Sequence, residues 1–588
     1  MAELRYGVSI PSPATQRLTV ELAAADLPAG DALLSMPRWA PGWYVLREYS
    51  RNVETIRART PAGREVAVEK DGVSTWRIRK GRGKSVVVTL TIHAPKWGDA
   101  YSFVDAHHAS LFGPSVFPWI HGTKHEPATL AIDAPEAWKR ISTGLEPVNG
   151  DPRLREAEDY DHLIDSPIEI GNHEVRRFEA GGKPHELAIV GGPIATDPAK
   201  VVADLAKIVE EEGRMFGELP YDRYVFLLYV TPEPTGSLEH RNSTTLTMLP
   251  ACFESPERYV NKFLATSAHE FFHLYNVKRI RPADLVPFDY LNEQHTKLMW
   301  IFEGLTSYFD DRIVMRAGLT EREDYLRKIA NNVTTLRTTP GRRLENLHDA
   351  SFDSWTKFMS KDANWGNRGI SFYTKGLLVG MCADLLIRKR SKGRGSLDDA
   401  MRTVFRDTKR KNYAGLTERR FRSACEAAAG AKLPEIFDGM LDTTMEIDFD
   451  EYLGLAGYRL APDRPKRGRL EPKATQEGFV GAEWETREGR VFVAKVPVDT
   501  PAHLCGLLAG DEVVFVNDRR VASAAELADR IRWAAPGDAL RFLVARHGRP
   551  TEVAIVATKA PVAAWKVAKK RSRSLAERKL GEKWLEVS

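Results

Sequence analysis

Cysteine is scarce in this 588-residue chain. Cys252, Cys382, Cys425 and Cys505 stand far apart and form no CxxC pair. That excludes a disulfide framework and a thiolate metal site, and it leaves scattered buried thiols of the kind a reducing compartment tolerates. Long apolar runs are also missing. The longest, such as Val225 to Val230, fall far short of the roughly 18 residues that span a bilayer. Met1-Ala2-Glu3-Leu4-Arg5 opens no basic stretch followed by an apolar core. No secretory signal is read there, and the expectation is a cytoplasmic protein with no membrane partner. No internal repeat runs through the chain, which excludes collagen, coiled-coil and solenoid classes. Net charge is small as well, with 85 Lys/Arg against 80 Asp/Glu. Nine basic and three acidic residues fall between Lys559 and Ser588, so the remainder is close to neutral. The body therefore has no broad basic surface for nucleic acid. The basic end reads as a disordered, solvated arm.

What is present is ordinary globular composition, 43% apolar and 28% charged. At roughly 150 residues per domain, the length allows about four units. The pattern predicts a multidomain α+β protein. Residues 1–172 carry short alternating runs such as Arg17-Leu18-Thr19-Val20-Glu21-Leu22, separated by turn residues, and read as a β-sandwich. Within them, Met36-Pro37-Arg38-Trp39-Ala40-Pro41-Gly42-Trp43-Tyr44 is unusually aromatic and reads as a packed surface loop rather than the lining of a site. Residues 173–460 turn helical. Asp197-Pro198 looks like a helix start, Tyr224 to Val230 like a buried strand, and helices are expected over 262–279, 295–316, 320–333, 370–390, 396–408 and 416–428. Pro462 to Pro472 reads as a linker. A small domain follows over 473–560, with short strands and one helix, Ala524 to Trp533. Residues 561–588 are the basic tail.

The strongest chemical signal is Ser267-Ala268-His269-Glu270-Phe271-Phe272-His273. On a helix, His269 and His273 leave the same face one turn apart, the spacing that grips one Zn²⁺ through two imidazoles. Glu270 is then positioned as general base toward water at that ion. Catalytic zinc needs a third protein ligand. Glu303, in the apolar run Met299-Trp300-Ile301-Phe302-Glu303-Gly304-Leu305, supplies a carboxylate that would be costly to bury unpaired. The alternatives are a helix with two hydrogen-bonded core histidines and a structural ion pair at Glu303.

The longer strings narrow the class. Leu274-Tyr275-Asn276-Val277-Lys278-Arg279-Ile280-Arg281-Pro282 after the histidines, Pro37-Arg38-Trp39-Ala40-Pro41-Gly42, Trp300-Ile301-Phe302-Glu303-Gly304, Thr339-Pro340-Gly341-Arg342 and Ala350-Ser351-Phe352-Asp353-Ser354-Trp355 resemble the glycyl-aminopeptidase family of gluzincins. The resemblance implies a thermolysin-like catalytic domain for 173–460, a single Zn²⁺ per chain, and peptide substrates with a free, small N-terminal residue, Gly or Ala. Thr235-Gly236-Ser237-Leu238-Glu239 resembles the strand by which related aminopeptidases hold substrate. It implies that Glu239 pairs with the α-ammonium and that the backbone of Gly236 and Ser237 binds the peptide. Tyr373, in Tyr373-Thr374-Lys375-Gly376, matches the tyrosine that donates to the oxyanion. Thr500-Pro501-Ala502-His503 through Gly510-Asp511 resembles a bacterial-type PDZ core, whose groove would take a C-terminal peptide. Two other functions stay open: an endopeptidase in which Glu239 is structural, and a PDZ-bearing scaffold with little activity.

Overall fold

Arg17–Ala25 and Val86–His93 alternate apolar and polar residues. In the computed structural model, which describes residues 2–463, 478–561 and 564–586, they pair antiparallel with Leu18, Val20, Leu22, Leu90 and Ile92 turned inward. They are the central strands of an eight-stranded sheet that includes Glu3–Ser9, Ala128–Asp133 and Val53–Arg59. Two four-stranded sheets, built around Ile168–Gly171 and Ala32–Ser35, share its core. The first domain is thus β-rich, as its alternation requires.

The second region begins with a five-stranded sheet. Lys183–Val190, Tyr224–Val230 and Ser243–Met248 run parallel, and Glu174–Ala180 and Ser237–Glu239 close its two edges antiparallel. Every residue of Tyr224–Val230 is buried, as befits a central parallel strand. The crossover helix Pro198–Phe216 starts where expected. Asp197 caps it by accepting from the amide of Ala199, and Gly217 ends it at φ +88°. Helices then dominate: Ala265–Phe272, Leu305–Arg316, Arg322–Thr338, Phe372–Arg390, Leu397–Asp407 and Glu418–Ala429.

Two expected helices differ at the ends that meet. The first stops at Phe272 rather than running to 279, and the second starts at Trp300 with a π-helical turn over Trp300–Gly304. One side chain joins the two irregularities. Asn276 leaves the helical path and donates to the carbonyls of Ile301 (2.9 Å) and Phe302 (3.4 Å). A wide turn frees carbonyls that the regular ladder would have used, and Asn276 satisfies them. Glycine sets a second close approach. A Cβ on Gly304 would lie 2.6 Å from Gly376 Cα, and one on Gly376 would lie 2.9 Å from Gly304 Cα. Only glycine at both positions lets the helix Phe372–Arg390 lie directly against the turn that carries Glu303.

The small domain has its own core, with Val491, Val493, Leu527, Phe542 and Ile555 buried together. Glu483–Arg487 is the edge strand of its main sheet and lies beside the helix Ala524–Trp533. Asn367 joins this domain to the catalytic region. It donates to the carbonyl of Val496 (2.8 Å) and accepts from the amide of Val498 (3.0 Å). The expected linker, beyond Asp463, lies outside the described residues.

The expectation of a solvated basic arm is wrong for the described residues of the tail. Trp565–Lys569 pairs antiparallel with Tyr458–Pro462, and the helix Leu575–Trp584 packs onto the catalytic domain. Charge counting misses this because the apolar residues sit at helical spacing among the charges. Leu580, Trp584 and Leu585 are buried, and Ser574 and Glu577 form a capping box. Trp584 Nε1 donates to the hydroxyl of Tyr308 (3.1 Å), on the helix that follows Glu303. The small domain is therefore inserted between two paired strands rather than appended. Cys505 is exposed, whereas Cys252, Cys382 and Cys425 are buried as expected. No helix among the described residues is long and apolar enough to cross a membrane.

Candidate metal centre

The helix holding His269 and His273 is amphipathic in an unusual sense. Ala268, Phe271 and Phe272 are fully buried in the core, while the two imidazoles share the remaining face with ring centroids 4.7 Å apart. Each ring is oriented through Nδ1. That of His269 donates to Asp310 Oδ2 (2.9 Å), and that of His273 donates to the carbonyl of Asn276 (2.8 Å). Both Nε2 atoms thereby face inward, and loss of the Nε2 proton leaves the tautomer a metal requires.

They face Glu303. Its Oε2 is 3.6 Å from His269 Nε2 and 3.3 Å from His273 Nε2. Ligands about 2.0–2.1 Å from a tetrahedral zinc stand roughly 3.4 Å apart, so this donor set fits the ion in number, kind and spacing. Burial opposes ionisation of Glu303, but His273 and His269 together hold it at about 2. Asp310, seven residues after Glu303, returns to the same side of the helix two turns on. Sequence inspection missed its part in orienting His269; the seven-residue spacing was the available signal.

Glu270 is buried, and burial, only partly offset by His269 and His273, lifts its carboxyl to about 8. A carboxylate oxygen of Glu270, one of Glu239 and a ring nitrogen of His273 all lie within 4.8 Å of one another. Glu239 is 3% exposed, and its Oε1 has no hydrogen-bond partner among the described residues. Its strand is locked to the metal helix from behind. Asp165 accepts from Lys278 Nζ (2.7 Å), from His240 Nδ1 (3.1 Å) and from the amide of Arg241 (3.0 Å), while Arg279 donates to the carbonyl of Arg241 (2.9 Å). The basic residues after the histidines are thus structural ties.

The edge strand requires one correction. Gly236 donates its amide to Thr247 Oγ1 (3.0 Å), and its carbonyl accepts from the amide of Thr247 (3.3 Å). Gly236 is consumed within the sheet and has no backbone group left for a peptide. Antiparallel pairing alternates, so the backbone groups of Ser237 and Glu239, one and three residues on, point to the open edge instead.

Tyr373 sits at the start of the helix Phe372–Arg390, its ring 6.2 Å from that of His269. Burial first, then Glu303 and Glu239, push its hydroxyl well above the ordinary range, so it stays protonated and can donate. Tyr44 shares that environment. Burial, Glu303 and Glu239 raise it in the same way, which brings the aromatic segment 36–44 to the metal centre. The expected surface loop is instead wedged against the catalytic domain. Trp39 Nε1 donates to the carbonyl of Asp289 (2.7 Å), and its ring meets Trp355 edge-on at 5.0 Å.

The profile for the M61 glycyl aminopeptidase matches residues 262–379, that for the peptidase M61 N-terminal domain matches 5–172, and that for a PDZ domain matches 478–556. No curated protein sequence matches the chain significantly. Among solved structures, an aminopeptidase N family protein from Idiomarina loihiensis is similar over 99% of this chain and 100% of its own, at 24% identity and TM-score 0.91. That likeness extends the shared fold over all three domains. Looser likeness joins an M1 zinc metallopeptidase from Deinococcus radiodurans (13% identity, 76% of this chain and 95% of that one, TM-score 0.47) and yeast LTA4 hydrolase in complex with bestatin (13%, 78% and 70%, 0.45). With its N-terminal, catalytic and PDZ segments each matched, the chain belongs to the M61 glycyl aminopeptidase family of zinc metallo-aminopeptidases.

Proposed function

We propose that this protein removes a small N-terminal residue, Gly or Ala, from peptides, with one Zn²⁺ per chain held by His269, His273 and Glu303. When bound there, the ion supplies Lewis acidity toward the scissile carbonyl and the attacking water. Glu270 takes the proton of that water and delivers it to the leaving amine. Tyr373 donates its hydroxyl to the developing oxyanion. The backbone of Ser237 and Glu239 receives the substrate as an added strand, and the Glu239 carboxylate takes its α-ammonium.

The observation that carries the aminopeptidase reading is Glu239 itself: buried, close to Glu270 and His273, with one oxygen unpartnered. A buried carboxylate in that condition is costly, and a substrate ammonium relieves it. An internal peptide bond brings no such charge and leaves the cost in place. The likeness to glycyl aminopeptidases supports the preference for Gly, and Ala is included as the next smallest side chain. A panel of aminoacyl amides, with each preferred substrate also N-acetylated, tests both parts. Gly and Ala amides should turn over fastest, and acetylation should slow cleavage by roughly 100-fold or more. Equal rates on free and acetylated forms would make the protein an endopeptidase.

For the PDZ domain, the edge strand Glu483–Arg487 beside the helix Ala524–Trp533 supports docking of a C-terminal peptide. In the loop before that strand, the carbonyls of Val480 and Gly481 are already taken, by the amide of Ala502 (2.8 Å) and the hydroxyl of Thr500 (2.9 Å).

A further inference from the structure

The turn Ala40-Pro41-Gly42-Trp43 belongs to the N-terminal domain, yet it ends on the Glu239 carboxylate. Trp43 donates its amide to the carbonyl of Ala40 (3.0 Å), with proline second and glycine third at φ +96°. This is the residue order of a type II turn, and that φ belongs to glycine. A Cβ at position 42 would lie 2.9 Å from both carboxylate oxygens of Glu239 and would also overlap Leu238 Cδ1. The turn has little freedom to retreat. Arg38 donates from its amide to the carbonyl of Tyr290 (2.9 Å) and from Nη1 to that of Leu291 (2.8 Å), and the rings of Trp39 and Tyr44 both pack on Trp355.

We propose that the Ala40–Trp43 turn is the end stop of the substrate cleft, a specificity element that holds the Glu239 carboxylate and fills the space a residue ahead of the N-terminal one would need. This deepens the aminopeptidase reading and rests on it. Glu239 supplies the charge that rewards a free N-terminus, and the turn supplies the wall that refuses an extended one. The bare glycine is required because the wall must touch both oxygens without displacing them. The work is divided between domains: the catalytic domain provides the chemistry and the N-terminal domain sets where the peptide must begin.

The test uses the full-length, zinc-loaded protein, an alanyl tripeptide and its N-acetyl form. Gly42→Ala should push Glu239 aside. Its kcat/KM on the free tripeptide should fall by roughly 30-fold or more, and the free-to-acetylated ratio should fall at least about tenfold, with zinc content unchanged. A folded, zinc-loaded Gly42→Ala that keeps both rate and ratio overturns the proposal. Should that variant fail to fold, Pro41→Ala decides. It loosens the turn without adding bulk, and the ratio should fall about threefold; an unchanged ratio overturns the end stop. Wild-type protein that cleaves both peptides alike would instead remove the aminopeptidase reading, before any variant is made.

Discussion

Two edge strands among the described residues leave one side unpaired, and they differ in what waits at the end. Ser237–Glu239 closes the catalytic sheet, is flanked by a buried carboxylate and lies beside the metal centre. Glu483–Arg487 closes the PDZ sheet, is half-exposed to exposed along its length and is preceded by a loop whose carbonyls are already bonded. Under the proposed function the same physics of strand addition serves both. A buried negative charge selects a chain's beginning, whereas a loop whose carbonyls are turned inward suits a chain's end. Strand edges give affinity that any sequence can use, and the terminal group decides which peptides are admitted.

The comparison breaks first at the metal. Chelation should abolish turnover and leave PDZ binding of a labelled C-terminal peptide intact, and one equivalent of Zn²⁺ should restore activity; titration read by turnover checks the stoichiometry. Glu270→Gln should cost on the order of 10³–10⁴ in kcat while zinc, measured by elemental analysis, stays bound. Glu239→Gln keeps shape and removes charge. It should lower kcat/KM for free peptides by roughly 100-fold and leave acetylated peptides unaffected, so that the catalytic edge comes to resemble the PDZ edge in its indifference to an ammonium. Asp310→Asn should weaken zinc by about 10–100-fold, measured by competition with a chromophoric chelator. Asn367→Ala, at the contact between the two regions, should change turnover on tripeptides less than about twofold; a larger effect would mean that the PDZ domain tunes the catalytic edge.

The sequence made His269, Glu270, His273 and Glu303 legible because their chemistry is local. Four residues on a helix fix the first three, and a carboxylate in an apolar helix stands out against its neighbours. Asp310 was missed although its spacing from Glu303 was visible, because its partner His269 lies 41 residues away, and Tyr44 was not legible because Glu239 and Glu303 lie in another domain. Gly42 lay within a string that matched the family, but nothing in the string says what the glycine touches. Gly236 was assigned a backbone role that register removes, because which residue of an edge strand faces outward depends on pairing that spacing alone does not set. The main helices were legible from periodicity, while the turns that unite the centre, at Asn276 and at Trp300–Gly304, depart from it. The C-terminal segment was misjudged because nine basic residues outweighed Leu580, Trp584 and Leu585 in a count that ignored spacing.

That last helix has a consequence for synthesis. Trp584 fills space against Tyr308 and Tyr325 on two catalytic helices, and its carbonyl accepts from Arg312 Nη2 (3.2 Å). A nascent chain has already released its entire PDZ insert before this last wedge emerges from the ribosome. Until then the helices that carry Tyr308 and Tyr325 lack the side chain that packs against both, so the catalytic fold closes only after the insert has been made.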